Sequence, residues 1–507
     1  MGSNSRVKSL YGRHAALVSG HHLASRSADE ALRAGGSLID AMIAASAMLA
    51  VALPHTSSLG GCAMMLYFDA ASGKVHALNG SGRAPLAAEP ALFPEGLPQR
   101  GSRSWLTPTL VRFWARAHER FGRLPWRRLF EPAIAGAREG MGCSEELGRN
   151  LRIASDLVLS QPGFRLAFAA SGSLLRSGDL FVQPRMARVL EEIAERGESG
   201  FYEGWVAGSL LEFSRSIGGL LTADDLAQAR ADWVDALMGD AGCGSVHVMP
   251  PNSSGWLMLE QLAERNTLPD PASQISQDIL KAIDIIAHKD DAPPSAGAAA
   301  VSVRHSDGAS VYPVRRKHSC EPGDTTGFVG ADAQGNAISM LQSVFQPFGS
   351  GCVDPGTGVL FNNRMYDFSL DEGSANRLEP GKRPVHTLNP YLVLRQGVAY
   401  VAGASPGGVS QTTTGFQILC GLLDGEATLG AAVSRPRWSL GRDGTVLLEE
   451  GIAEEVAQRL RAHGLNVIEN SNHEFYFGSV KVVRVHQETS MLEAAADARR
   501  EACAIAW

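Results

Sequence analysis

The sequence predicts an α+β fold, and three features carry that expectation. Helical patterns fill most of residues 105–240. After Gly323 the pattern turns β-rich, with hairpins in succession. A glycine-rich turn between Gly403 and Gln411 then joins a strand to a helix. Helical stretches followed by hairpins fit α and β elements that are separate along the chain.

The elements follow in chain order. Ser27 and Glu30 stand at capping-box spacing, so Ser27 is expected to open a helix that Gly35 and Gly36 stop. Ser37 is placed to cap a second helix ending before Pro54. Its body, residues 38–53, is the longest apolar run. It is rich in alanine, contains Asp40 and Ser46, and is too short to span a bilayer comfortably, so it reads as a buried core helix. A loop of small residues follows His55. A strand at 63–68 and its partner at 74–78 come next, then helices at 186–196 and 208–217. Residues 288–307, rich in Ala, Asp, Pro, Ser and Gly, read as a mobile loop. Strands at 326–331 and 337–345 make a hairpin around 332–336, strands at 391–395 and 398–402 make another, and a helix is expected over 412–423. No internal repeat of fixed period occurs.

The 507 residues are 44% hydrophobic and 20% charged, a composition that excludes disordered and fibrous classes. A net charge of -7 gives no reason to approach nucleic acid or an anionic membrane, which leaves a small-molecule or peptide substrate. The seven cysteines (Cys62, Cys143, Cys243, Cys320, Cys352, Cys420 and Cys503) are odd in number and contain no CxxC pair. They read as buried or incidental thiols in a reducing compartment. No apolar signal core follows the N-terminal charges, and Arg6 breaks the myristoylation pattern. A cytoplasmic protein is expected. The 14 histidines include the pair His21-His22 but no HExxH, so neither metal nor cofactor is expected.

The chemistry starts at Asp324-Thr325-Thr326-Gly327. A Thr pair alone means only a strand. Here a loop-like segment leads in, a strand begins at the Thr, and a glycine-rich stretch, 348–358, follows the hairpin. A threonine hydroxyl needs a base to take its proton. If the bond before Thr325 is cut, the new α-amine, with an ordinary pKa near 8, can be that base. The second piece is the turn containing Gly407 and Gly408. Adjacent glycines before a helix allow close backbone approach and expose N–H groups that suit an oxyanion, although a tight turn of purely structural purpose fits the same residues. A phosphate loop does not, because the Gly-Lys-Ser/Thr ending and GxGxxG spacing are missing. The third piece, 362–369, offers Arg364 for a substrate carboxylate and Asp367 for a substrate amine, or a solvated loop carrying an ion pair.

Together these segments resemble the gamma-glutamyltransferase family, from about residue 14 to 485. The motifs run in family order: Ala34-Gly35-Gly36-Ser37, Pro54 to Gly61, Pro250 to Gly255, Gly335-Asn336, Phe348 to Gly351, Asn362-Asn363, Lys382-Arg383-Pro384 and Ser405 to Gly408. The resemblance implies a four-layer αββα sandwich of the N-terminal-nucleophile hydrolase type. It implies a cleavage site between Asp324 and Thr325 and a chain divided into a large region, 1–324, and a small region, 325–507. The two pieces share one core as a heterodimer, with a dimer of such pairs left open. Thr325 falls on the nucleophile, and Ser343 on a second hydroxyl near its amine. Gly407 and Gly408 fall on the oxyanion hole, and Asp367 on the acid that receives a substrate amino group. His386 and Thr387 replace a serine pair that contacts the substrate carboxylate.

The sequence also departs from the family. Ser81 stands where the family's carboxylate-binding Arg is found, with Arg83 two places on. Phe345 replaces Asn, Arg364 replaces Gln, and Gly327 replaces His. The implied activity is an amidohydrolase or acyltransferase with altered acyl specificity, acting on a small carboxylate-bearing amide read by Arg364, Arg83 or His386. This is similar to the branch that holds oxamate amidohydrolase and the cephalosporin or glutaryl acylases. Two other readings stand beside it: a true γ-glutamyl hydrolase or transpeptidase, and a non-catalytic relative that binds ligand unprocessed.

Overall fold

A computed structural model describes residues 7–169, 172–242, 244–265, 267–287, 324–408, 410–441, 444–469 and 477–507. Period-two strands build two stacked antiparallel sheets in it. The first has seven strands in the order Cys503–Ala506, Ala15–Ser19, Asp324–Asp332, Ala337–Phe345, Cys62–Asp69, Lys74–Gly80 and Asp232–Val234. The second has seven in the order Leu10–Gly12, Met491–Ala496, Lys481–His486, Val398–Ala404, Tyr391–Arg395, Ser245–Val248 and Leu237–Asp240.

Alternation along each strand sorts the side chains between two cores. Met64, Leu66 and Phe68 point to the layer between the sheets, with Val18, Val329, Leu341, Leu392 and Val483. Their neighbours Ala63, Met65 and Tyr67 point outward against helices. Because both faces of each sheet are covered, the strands read as nearly continuous apolar runs. Each fully buried Leu, Val or Met contributes about 1.5–3 kcal/mol.

The outer layers are helical. Leu38–Ala52 is buried at every residue and packs on the first sheet. Ser37 and Asp40 form the expected capping box, and Asp40 also accepts from Arg123 N at 2.9 Å. Ser46, the polar interruption in this helix, accepts from Trp114 Nε1 at 2.7 Å and donates to the Gln342 side chain. Trp256–Ala263, Pro271–Ala287 and Ser410–Leu423 cover the second sheet. The result is the αββα sandwich.

One expectation is corrected. The first helix runs His22–Arg33 and is capped by His21, whose Nδ1 accepts from Leu23 N at 3.3 Å. Ser27 lies inside it and donates back to Leu23 O at 2.9 Å. The first turn is held by the buried Ser19 and Ser25 hydroxyls beside it, so tertiary packing starts the helix earlier than the local capping signal. The loop expected at 288–307 lies outside the described residues, as do Cys243 and Cys320. Cys62, Cys143, Cys352 and Cys420 are free and buried, and Cys503 is free and half-buried. Among the described residues no helix is long and apolar enough to cross a membrane.

Candidate active site

The strand Asp324–Asp332 enters the first sheet through an irregularity. Asp324 pairs with Phe345 and Thr326 with Gln342, so the register shifts around Thr325. Phe345 absorbs part of this with φ of 85°, a backbone conformation that costs a bulky residue on the order of 1–3 kcal/mol. Strain of this kind persists only where surrounding contacts impose it.

The contacts around the Asp324–Thr325 linkage are specific. The Ser343 hydroxyl donates to Asp324 O at 2.8 Å and accepts from Phe345 N at 2.7 Å. Thr325 N donates to its neighbour's carboxylate, Asp324 Oδ1, at 2.8 Å. Thr325 Oγ1 accepts from Gln411 Nε2 at 3.4 Å, and Gln411 Oε1 accepts from Asn389 N at 3.0 Å. Thr325 is 3% exposed, so no substrate reaches its hydroxyl without rearrangement of the continuous chain.

Gln411 lies in the first turn of the helix Ser410–Leu423, directly after the turn that holds Gly407 (φ 137°) and Gly408 (φ 58°). Only glycine adopts the first of these conformations without strain. The turn thus brings a helix N-terminus, with its partial positive charge, to the side of Thr325. Sequence reasoning stopped at the two glycines. Gln411, three residues on, is the side chain that touches the threonine, and its place at the helix start was the available signal.

A second group of side chains closes the other flank. Arg364 is 1% exposed, and its guanidinium stacks 4.1 Å from the centre of the Phe345 ring. Its Nη2 donates to Ser343 Oγ at 3.3 Å, and its Nη1 donates to Thr387 Oγ1 at 3.2 Å and Asp367 Oδ2 at 3.1 Å. The two departures Phe345 and Arg364 therefore pack on each other. Thr325, Ser343, Arg364, Asp367 and Thr387 come together around one linkage.

His386 joins this group as a neutral ring. It is fully buried, and its Nδ1 accepts from Leu388 N at 3.2 Å, so the proton sits on Nε2, which faces Cys62 Sγ at 3.2 Å. Burial, together with the charges of Arg364 and Arg383, holds its pKa well below the usual histidine value. The neutral ring can offer a carboxylate only its Nε2 hydrogen, which here faces Cys62 Sγ. Burial likewise pushes the Cys62 thiol up, so it is not a thiolate.

Arg83 is not brought to the cluster. Its guanidinium donates to Gly381 O at 2.9 Å and pairs with Asp232 at 3.7 Å, on a surface pocket it shares with Asp225 and Arg230. Ser81 is buried, and its hydroxyl donates to Asn79 Oδ1 at 2.7 Å. Arg383 reaches the backbone here, donating to Ser81 O at 3.0 Å while pairing with Asp232 at 2.9 Å. Sequence reasoning also missed a buried cluster of titratable side chains on the acyl side of the linkage, made by His55, Glu146, Lys481 and Arg500. Its members are too far apart in the chain to leave a local signature.

Stacked antiparallel sheets between helical layers, with a strand that opens on Asp324-Thr325 beside a glycine turn, define an N-terminal-nucleophile hydrolase fold. The gamma-glutamyltranspeptidase family model matches residues 24–284 and 275–507. The chain is 30% identical to the glutathione hydrolase-like YwrD proenzyme of Bacillus subtilis, over 98% of this chain and 99% of that one. It is 31% identical to an oxamate amidohydrolase proenzyme of Klebsiella pneumoniae, over 97% and 98%. A cephalosporin acylase structure from Bacillus halodurans superposes with a TM-score of 0.90 at 27% identity, covering 99% of this chain and 97% of that one. The chain belongs to the gamma-glutamyltranspeptidase family, and it is an enzyme, a hydrolase of that family's amide-cleaving kind.

Proposed function

We propose that the chain cuts itself between Asp324 and Thr325 and then uses Thr325 to hydrolyse the amide of a small carboxylate-bearing substrate. The observation that carries this reading is the hydrogen bond from Ser343 Oγ to the carbonyl of the linkage itself, at 2.8 Å. A donor aimed at that oxygen stabilises the negative charge that develops there when the carbonyl carbon is attacked. Two of the relatives named above are proenzymes, which agrees with this reading.

In the first reaction Thr325 Oγ attacks the Asp324 carbonyl carbon. The C–N bond breaks, the nitrogen takes the hydroxyl proton, and an ester joins Asp324 to Thr325 Oγ. Water then hydrolyses the ester, leaving a carboxylate on Asp324 and a free hydroxyl and amine on Thr325. The products are a large piece, 1–324, and a small piece, 325–507. In the second reaction the amine serves as base for its own hydroxyl, which attacks the substrate amide. The turn at Gly407 and Gly408 faces the developing oxyanion, and water releases the acyl group.

Arg364 is the group we assign to the substrate carboxylate, because it is the cation bonded to Ser343 and it replaces a neutral residue of the family pattern. Asp367 and Thr387, both bonded to it, orient the guanidinium. Arg83 is left out by position, and His386 because its Nε2 faces Cys62 Sγ. An oxamate-like amide, with the carboxylate beside the amide, fits this single cation. A γ-glutamyl group presents an additional α-amino group for Asp367, but Ser81 leaves its α-carboxylate without the family's Arg.

The test is the intact mass of purified protein with time, with N-terminal sequencing of the small piece, for wild type and Thr325→Ala. A wild-type fragment beginning Thr325-Thr326-Gly327 and an uncut variant are expected. Cleavage of Thr325→Ala would overturn the assignment. Oxamate and γ-glutamyl anilide, offered to the cleaved enzyme, separate the two substrate classes. Glutamate release from the anilide at a rate exceeding oxamate turnover would replace the substrate reading.

A further inference from the structure

We propose that Arg500 is a positioning residue for the self-cleavage, holding the acyl side of the Asp324–Thr325 bond in place for attack. The inference rests on the self-processing reading above. Arg500 comes from the turn between the strands Met491–Ala496 and Cys503–Ala506, 176 residues from its partner. Its buried guanidinium reaches Asp324 Oδ1 with Nη1 at 2.5 Å and stands 3.7 Å from Glu146 Oε1.

The surroundings show what the guanidinium replaces. His55, Glu146 and Asp324 bring one ligand atom each within 4.8 Å of one another, all buried, which is the spacing of a divalent-cation site. Although burial lowers the Lys481 pKa to about 8, two basic side chains already face the two acids. Arg500 lies against both of them, and Lys481 is buried beside them with Nζ anchored on Ser479 O at 2.8 Å. Glu146 is drawn well below the usual carboxylate range. Burial opposes this, but His55, whose Nε2 stands 3.6 Å from Glu146 Oε1, and the charges of Arg500 and Lys481 outweigh it. A metal ion here would meet both a guanidinium and an ammonium. Arg500 therefore occupies the cation's place, and its fork points at the residue whose acyl bond breaks.

The consequence for the reaction is geometric. Asp324 Oδ1 is shared between Arg500 and the amide N–H of Thr325, which ties the side chain across the bond to be cut. Its carbonyl oxygen is held by Ser343 on the other side. The acyl residue is thus fixed at two points, while Gln411 fixes the attacking hydroxyl at a third. Attack needs the reacting atoms held about 3–3.5 Å apart in line, and a displacement of about 1 Å costs on the order of 100-fold in rate. The contacts of Arg500 with Asp324 Oδ1 and Glu146 Oε1 lie on the acyl side of the bond, so its effect is expected to fall on the cut.

The experiment measures the first-order rate of self-cleavage in full-length chains by intact mass, for wild type, Arg500→Met, Arg500→Lys, Asp324→Asn and the Arg500→Met/Asp324→Asn double variant. Melting temperature is recorded for each, with turnover per cleaved chain. Arg500→Met and Asp324→Asn are each expected to slow the cut by about 10–100-fold, and Arg500→Lys to restore part of the rate. The double variant is expected to be no slower than the slower single one, because both changes break one interaction. A wild-type rate in Arg500→Met overturns the proposal, and so do single effects that multiply in the double variant. Turnover per cleaved chain that falls in step with the cut also overturns it, since that pattern marks a general loss of structure. If Arg500→Met does not fold, Arg500→Lys and Asp324→Asn decide: one of them at the wild-type rate overturns the proposal. EDTA is expected to leave the wild-type rate unchanged, and a rate that EDTA abolishes and zinc restores assigns the cluster to a metal instead. A wild-type chain that stays whole, or a Thr325→Ala chain that is cut, removes the self-processing reading itself, before Arg500 is in question.

Discussion

Replacing Ser343 with Ala tests the site at its most informative atom. The Ser343 hydroxyl donates to Asp324 O at 2.8 Å and accepts from Phe345 N and Arg364 Nη2. Loss of one donor aimed at a developing oxyanion typically costs about 100- to 1,000-fold in rate, or roughly 2.7–4 kcal/mol of barrier. Self-cleavage of Ser343→Ala is expected to slow by that amount. The same change strips an acceptor from two buried donors, at about 1–3 kcal/mol for each one left unsatisfied, so the melting temperature should drop by a few degrees. A time course of intact mass on full-length protein reads the first effect and calorimetry the second. Ser343→Thr keeps the hydroxyl and should cleave within about threefold of wild type. That comparison separates the donor from the packing. If Ser343→Ala cleaves as fast as Ser343→Thr, the carbonyl contact is an accident of packing and the argument from geometry fails.

Two further outcomes follow from the same cluster. Arg364→Met should raise KM for a carboxylate-bearing amide by about 10- to 100-fold in the cleaved enzyme, the worth of a charge-assisted hydrogen bond. A neutral amide of the same size should be little affected, and equal effects on both would remove Arg364 from carboxylate recognition. Glu146 makes stability depend on pH. Its folded pKa lies below its ordinary value of 4.5, so its contribution is fully present above about pH 4.5 and is lost as pH falls through the folded value. Denaturant midpoints measured from pH 6 downward should decline below about pH 4.5, and Glu146→Gln should flatten that limb. Identical slopes for the two proteins would refute the assignment.

The fold was legible where local pattern and tertiary environment agree. Residues 62–69 and 337–345 are mostly apolar or aromatic in runs of strand length, and both are strands at the expected places. The apolar run ending before Pro54 is the buried helix it resembled. Ser27 was misleading because a capping signal is local while the start of that helix is set by what packs on it. The site divides the same way. Thr325, Ser343 and the glycine turn are visible through short motifs in family order. Arg500, Glu146 and His55 are not, because the contact that unites Arg500 with Asp324 spans 176 residues, and no spacing rule reaches that far. His386 shows the limit from the other side. Its position in the chain suggested a carboxylate partner, but its protonation is decided by burial and by Leu388 N, which only the folded structure supplies.

The order of strands in the two sheets has a consequence for the life of the protein. In the first sheet, Ala15–Ser19 lies between Cys503–Ala506 and Asp324–Asp332, so a strand from before the proposed cut is flanked by two from after it. In the second, two neighbouring pairs cross the cut as well: Leu10–Gly12 pairs with Met491–Ala496, and Ser245–Val248 with Tyr391–Arg395. A single break before Thr325 would leave the pieces woven through each other, unable to part without dismantling both sheets. Before the break, refolding is an event within one molecule. After it, two separate chains must find each other and thread their strands together, a slow step that depends on concentration. The cut enzyme would then owe its persistence to the height of its unfolding barrier, having given up its way back.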